Sequence, residues 1–326
     1  MKAAIHTKYG SPDVIQIVDV AKPTSKDDEV LVKIHAAALN AYDWHLLTSD
    51  IFLVRFMGGG LLKPKDGTLG ADIAGAVEAV GKDVTQFKPG DEVYGDIAGK
   101  GYSGFGEYAC VPEKTLAPKP ANLSFEQAAA VPMAGITALQ GLRDEGHIQP
   151  GQKVLVQGAS GGVGTFAVQI AKAFGAEVTA VTSTRNLEQA KAIGADHVID
   201  YTKEDFTQNG QQYDLILAAN GYHPMSAYRR SLAPQGIYVM AGGTFKQIFQ
   251  SMLLGPRMSK DGGQKMGGIS AKQSQKDLLF LKEWIEAGKI VPVIDKVYPL
   301  SQVAEAMRYL GTGHARGKVV VRIVAD

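Results

Sequence analysis

The chain has 326 residues, 45% hydrophobic and 21% charged, with a formal net charge of +1. That length suits two domains and the apolar content suits ordinary cores, while the charge balance argues against nucleic-acid, membrane-surface or acidic-polymer partners. The one cysteine, Cys110, excludes an internal disulfide and any structural zinc site built from several thiolates.

The N-terminal run MKAAIHTKYG lacks the apolar core of a signal peptide. No stretch approaches the roughly 18 uncharged apolar residues of a membrane span. The nearest, Ile51–Leu62, is short and broken by Arg55 and three glycines. These features predict a cytoplasmic protein. Residues 1–133 then read as short β patterns with turn signals. Glu29–His35 and Gly75–Gly81 are strand-like, and Lys88-Pro89-Gly90 is a turn feeding a strand through Tyr94. Ile51–Met57 is apolar, with a substrate cleft and a buried element as its two readings.

From Pro150 the texture changes. Strands are expected at Lys153–Gln157, Glu177–Val181, His197–Asp200, Tyr213–Ala218 and Gly236–Ala241, with helices at Val163–Phe174 and Asn186–Ile193. Alternating strands and helices predict a parallel sheet with crossover helices. Residues 245–275 are rich in Gly, Ser, Lys and Gln and read as a mobile loop. A strand-rich texture returns over 289–326, around an amphipathic helix at Ser301–Leu310. The plan is α/β: a β-rich domain interrupted by an inserted dinucleotide fold.

Between the first of these strands and its helix lies Gly158-Ala159-Ser160-Gly161-Gly162-Val163-Gly164. A small-residue turn of this kind lets the backbone approach a pyrophosphate at a helix N-terminus. Set on G-x-G-x-x-G, its first position is Ala159, its second Gly161 and its third Gly164, so the strand–turn–helix context carries part of the weight. About 20 residues on, an acidic residue would bond a ribose 2′-hydroxyl and repel a 2′-phosphate. The chain has Thr182-Ser183-Thr184-Arg185 there, offering hydroxyl donors and a positive charge, and the first acidic residue, Glu188, falls inside the next helix. NADPH is therefore expected over NADH.

The same turn satisfies G-x-S-x-G at Ser160, the nucleophile elbow of α/β hydrolases, with aspartates and His314 following in a compatible order. Gly161, Gly162 and Gly164 suit phosphate contact better, and a hydrolase leaves the β-rich first domain unexplained. A short-chain reductase is excluded, because no tyrosine has a lysine four positions later.

These residues resemble the medium-chain dehydrogenase/reductase superfamily, and most closely its zinc-free quinone oxidoreductase branch. The resemblance runs through Gly90–Tyr94, Gly106–Tyr108, Ala128–Pro132 with Thr137–Leu139, Gly158–Gly164, Gly194–Tyr201 and Gly317–Val320. It implies a GroES-like catalytic domain from 1–133 plus 286–326, with a Rossmann NADP-binding domain at 134–285, and a cytoplasmic homodimer joined through edge strands. It also matches Ser160, Gly162 and Val163 to the pyrophosphate turn, beside Gly161 and Gly164 of the glycine motif. Ser183 and Tyr201 match positions that hold the 2′-phosphate, joined by Thr182 and Arg185 from the reading of the strand end, and Thr137, Gly242 and Gly243 match positions beside the nicotinamide.

Zinc members of the superfamily would carry a cysteine at Asn40, a histidine at Ala71 and further cysteines near 96–110, where only Cys110 exists. A catalytic zinc needs about three protein ligands and an open position, so no metal is expected. Without a Lewis acid, the acceptors that remain accessible are quinones and α,β-unsaturated carbonyls, whose developing charge is delocalised and needs only a few hydrogen-bond donors. Asn40, Tyr42 and Asp43 replace the zinc-ligand loop and are the catalytic candidates: Asn40 to hold substrate or a water, Tyr42 to donate to the oxyanion, Asp43 to orient. Turn capping at Asn40 and Asp43, and packing at Tyr42, are equally good readings. Of the seven histidines, His45 alone lies close to this loop. Two alternatives stay open: a non-enzymatic NADPH-binding sensor or structural protein on the same fold, and a reductase of acyl thioesters, for which no basic patch is evident.

Overall fold

The protein is described by a computed structural model covering residues 1–50, 60–64, 67–99, 103–243, 259 and 263–323. The apolar run Ile51–Met57 lies outside the described residues. The chain divides into two compact units, Met1–Met133 with Gln273–Glu286 and Pro292–Asp326, and Ala134–Lys272 with Ala287–Val291. No helix among the described residues is long and apolar enough to cross a membrane.

In the first unit, seven strands among the described residues form one sheet. Its order is Ile294–Pro299, Lys318–Arg322, Glu29–Leu39, Asp72–Val80, Glu92–Asp96, Leu116–Pro118, with Tyr108–Pro112 also paired to Glu29–Leu39. Glu29–Leu39 is bonded by three neighbours and is buried along most of both faces, so it reads as a nearly continuous apolar run. Val30, Ile34 and Leu39 join Ile73, Val93, Phe105, Val319 and Val321 in the core.

The register positions the polar residues. Ala38 pairs with Asp72, Asp72 with Asp96, and Leu39 with Val319. Asn40 follows Leu39 and Lys318 precedes Val319, so Asn40, Asp72, Asp96 and Lys318 come to one end of adjacent strands. There the chain turns into the helix Ala41–Thr48.

In the second unit the six strands among the described residues are all parallel. Their order is His197–Asp200, Glu177–Thr182, Lys153–Gln157, Tyr213–Ala218, Leu232–Met240, Lys265–Gly268. Numbered within the unit this is 3-2-1-4-5-6, the doubly wound order that opens a crevice between strands 1 and 4 at their C-terminal ends. The helix Gly162–Ala173 is buried from Gly164 to Ala171.

Two expectations are corrected. The stretch 245–275 is not all loop: Lys265–Gly268 adds a parallel strand beside Leu232–Met240, and the rest of the described part leads into a helix, Gln275–Glu286. Residues 245–258 and 260–262 of it lie outside the described residues. By contact that helix groups with the β-rich unit and not with residues 134–272, because Leu278, Leu281 and Ile285 are buried and the Leu278 carbonyl accepts from the buried Tyr94 hydroxyl at 2.6 Å.

Candidate active site

The glycine turn of the second unit is built for close approach. Gly158 adopts φ +76°, a conformation L side chains rarely take, and its N–H and that of Ala159 donate to the Val181 carbonyl at 3.2 and 3.1 Å. At Gly164 a Cβ would stand 2.1 Å from the Gly158 carbonyl oxygen, so only glycine lets the helix close on the strand. At Gly161, by contrast, a Cβ would meet only that same oxygen, at 3.6 Å. Gly161 caps the helix, leaving the N–H groups of Gly162, Val163 and Gly164 without intrahelical acceptors and facing the site an anion would take.

Ser160 and Ser183 are tied together by a residue that the sequence reading did not single out. Asn186 is 4% exposed, and its Nδ2 donates to Ser160 Oγ at 3.0 Å and to Ser183 Oγ at 3.2 Å. Its Oδ1 is buried with no partner, as is the Oγ1 of Thr182, which is 1% exposed. An asparagine opening a helix reads as a capping residue, and nothing in the sequence spacing shows that it reaches back 26 residues.

Thr184 differs from expectation. Its hydroxyl donates to Asp200 Oδ2 at 2.5 Å and is not offered to a phosphate. Asp200 also accepts from the Thr202 amide at 3.1 Å and hydroxyl at 2.8 Å, with Lys203 Nζ at 3.7 Å. Ser183 is half-buried, and Arg185 and Tyr201 are exposed at the same edge. Thr137 is buried on the helix Pro132–Gln140. Gly242 lies so close to the Ala219 carbonyl that a Cβ would approach it to 2.6 Å, and Gly243 follows with φ +144°. A glycine turn with open backbone, a helix N-terminus with free N–H groups and the neighbouring hydroxyls of Ser160 and Ser183 fit a dinucleotide.

The candidates of the first unit have separate tasks. Asp43 is fully buried, and its carboxylate accepts from the Asn40 N–H at 2.8 Å and the Gly70 N–H at 2.9 Å. Burial raises its pKa to about 6, against the pull of those two amides. Asp43 is thus a cap and brace for the helix, with no surface to offer substrate. Asn40, 8% exposed, donates from Nδ2 to Asp72 Oδ2 at 3.0 Å, and its Oδ1 accepts from Lys318 Nζ at 2.5 Å. Its amide is committed inward, to Asp72 and Lys318. Tyr42 is 38% exposed, its hydroxyl makes no hydrogen bond among the described residues, and burial followed by the charges of Asp43 and Asp96 raises its pKa. It stays a neutral donor.

Asp72 and Lys318 escaped the sequence reading as site residues. Asp72 is fully buried and Lys318 is 3% exposed, with Nζ 3.4 Å from Asp72 Oδ2. Asp72 Oδ1 accepts from the Met133 N–H at 3.0 Å. Burial lifts the Asp72 carboxyl to about 7, with Lys318 pulling it down and Asp96 pushing it up.

Residues 26–121 match the alcohol dehydrogenase GroES-like domain family, and residues 193–321 match the zinc-binding dehydrogenase family. The chain is 40% identical to the 2-methylene-furan-3-one reductase of Solanum lycopersicum, over 98% of this chain and 79% of that protein. The chain belongs to the medium-chain dehydrogenase/reductase superfamily, in its quinone oxidoreductase-like branch. The NADPH-dependent alkenal/one oxidoreductase of Arabidopsis thaliana is 37% identical over 98% of this chain and 79% of its own length. Among solved structures, the quinone oxidoreductase from Coxiella burnetii superposes with a TM-score of 0.87 at 29% identity, covering 99% of each chain. Of the positions where zinc-bearing members of the superfamily place ligands, Asn40 here meets an ammonium and Ala71 has no donor atom.

Proposed function

We propose that this medium-chain reductase is a zinc-independent, NADPH-dependent oxidoreductase that delivers hydride to a quinone or an α,β-unsaturated carbonyl. The observation that carries the reading is the glycine turn, whose open backbone and helix N-terminus fit a dinucleotide; Tyr42, 38% exposed, is the candidate donor to the acceptor. When bound, the reduced nicotinamide supplies the hydride. Gly161, Gly162, Val163 and Gly164 would hold the pyrophosphate through backbone N–H groups. Ser160 would support it, and Thr137, Gly242 and Gly243 would leave room at the ring. Ser183, Arg185 and Tyr201 would receive the 2′-phosphate, with Thr182 below them.

Tyr42 donates a hydrogen bond to the acceptor oxygen as charge gathers there. A conjugated acceptor spreads that charge, so one fixed donor lowers the barrier where an isolated ketone would require a Lewis acid. Asp43 holds the helix that carries the phenol. What supports zinc independence is the side chains themselves: among the described residues no three His, Cys, Asp or Glu groups converge as ligands, and Asn40 and Asp72 are occupied by Lys318. What supports NADPH is Arg185 at an edge where Asp200 is already surrounded by Thr184, Thr202 and Lys203. The reading includes a cytoplasmic homodimer, checked by fractionation and by light scattering.

The deciding experiment follows loss of the reduced-nicotinamide absorbance with quinones, enones and simple ketones, with and without a chelator. Chelator-resistant turnover of quinones or enones is expected. Turnover that a chelator abolishes would overturn zinc independence, and NADPH binding with no turnover of any acceptor would make this a non-enzymatic NADPH-binding protein.

A further inference from the structure

Lys318 is 3% exposed, Asp72 is fully buried and Asn40 is 8% exposed, and the three close on one another at the end of three adjacent strands. A lysine is rarely buried so far without a partner, and an ion pair taken out of water repays its desolvation only when further hydrogen bonds complete it. Here the ammonium reaches more than a carboxylate. It lies 3.4 Å from Asp72 Oδ2 and donates to Asn40 Oδ1 at 2.5 Å. We propose that Lys318 is a positioning residue of the active site, a built-in cation whose ammonium fixes the Asn40 amide against Asp72 and so locks the start of the helix that carries Tyr42.

The geometry selects one orientation of the amide. With Oδ1 toward the ammonium, Nδ2 donates to Asp72 Oδ2 at 3.0 Å and lies 3.4 Å from the Ala38 carbonyl. A flipped amide would set an NH₂ group against the ammonium and an oxygen against the carboxylate, two contacts of like sign. The Asn40 backbone N–H meanwhile goes to Asp43, whose other oxygen holds Gly70. Asn40 is therefore fixed at side chain and main chain at once, two residues before Tyr42. Remove the ammonium and the Asp43 brace and the Nδ2–Asp72 bond remain, but the amide loses the partner that holds its oxygen. The set also consumes the oxygens that a divalent cation would need, which ties Lys318 to the metal-free chemistry. The inference rests on the reading of Tyr42 as the donor to substrate.

The test uses the full chain with Lys318→Met, which is similar in length and neutral, and with Lys318→Met combined with Asp72→Asn, which removes both charges should the single variant fold poorly. Folding and NADPH affinity are checked first. Enone reduction is expected to lose about 10- to 100-fold in kcat in both variants, the range typical when a group that orients a reactive residue is lost, with KM unchanged. In chains carrying ¹⁵N-asparagine, the Asn40 side-chain amide signal, assigned with Asn40→Asp, is expected to be exchange-protected in the parent and to shift toward solvent-like values in both variants. Parent-level kcat in a folded variant, or an unmoved Asn40 signal, overturns the proposal. If the parent chain reduces no acceptor, the functional reading falls while the Asn40 signal still decides whether Lys318 positions the amide.

Discussion

Asn40 and Tyr42 are two residues apart and face opposite demands. The Asn40 amide is committed to Asp72 and Lys318, while the Tyr42 hydroxyl has no partner among the described residues. Tyr42→Phe should therefore lower kcat for enones roughly 10²-fold, the loss seen when one oxyanion donor is removed, with little change in KM; steady-state kinetics showing unchanged kcat would remove Tyr42 from the chemistry. Asn186 holds Ser160 and Ser183 through one Nδ2. Two hydrogen bonds of about 1 kcal/mol each predict at least a tenfold weaker NADPH complex for Asn186→Ala, read by fluorescence titration, whereas an unchanged Kd would show that the serines need no support. The glycine turn was legible in the sequence because its geometry depends on residue type and local spacing. Lys318 and Asn186 were not. One is a lysine among 34 Lys and Arg residues, the other an asparagine at a helix start, and only burial sets either apart.

Turns and elements follow from local composition where the period is clear. Lys153–Gln157, His197–Asp200 and Tyr213–Ala218 form over the residues their apolar runs predict. The helix at Gly162–Ala173 begins where the glycines permit, and Gly164 sets how near it comes to the strand. Gly164→Ala places a methyl 2.1 Å from the Gly158 oxygen. Overpacking of that kind costs about 1–3 kcal/mol, so a lowered unfolding midpoint together with weakened NADPH binding is expected, and a variant matching the parent in both would show that the turn can yield. Lys265–Gly268 escaped detection because a four-residue strand holding two glycines has no apolar pattern of its own; it exists through its bonds to Ile237–Met240. The helix Gln275–Glu286 was missed because its apolar residues include the unbroken run Leu278–Leu281, which shows no helical period of its own; only the fold separates the buried Asp277, Leu278, Leu281 and Ile285 from the exposed Leu279.

Across the molecule, buried carboxyls shape the response to pH. Asp43 and Asp72 move from 3.8 to about 6 and about 7 on folding, mainly through desolvation. The folded chain then binds these protons more tightly than the unfolded chain, so their stabilisation is complete below pH 3.8 and is lost as pH rises through about 6 and about 7. Asp72→Asn removes the Asp72 share. Relative to the parent, its unfolding midpoint should therefore improve as pH rises across this window, and a difference that stays constant with pH would show that Asp72 does not titrate there. Residues 1–326 by themselves determined the fold class, the glycine cradle and the family, because these depend on periodicity, turn chemistry and residue types that act over short spans. Tertiary structure alone decided that Lys318 meets Asn40 across 278 residues, that Asp200 takes the Thr184 hydroxyl, and that Gln275–Glu286 joins the β-rich unit. Those contacts depend on strand register and on which side chains lose water, and neither quantity is a property of any local stretch of chain.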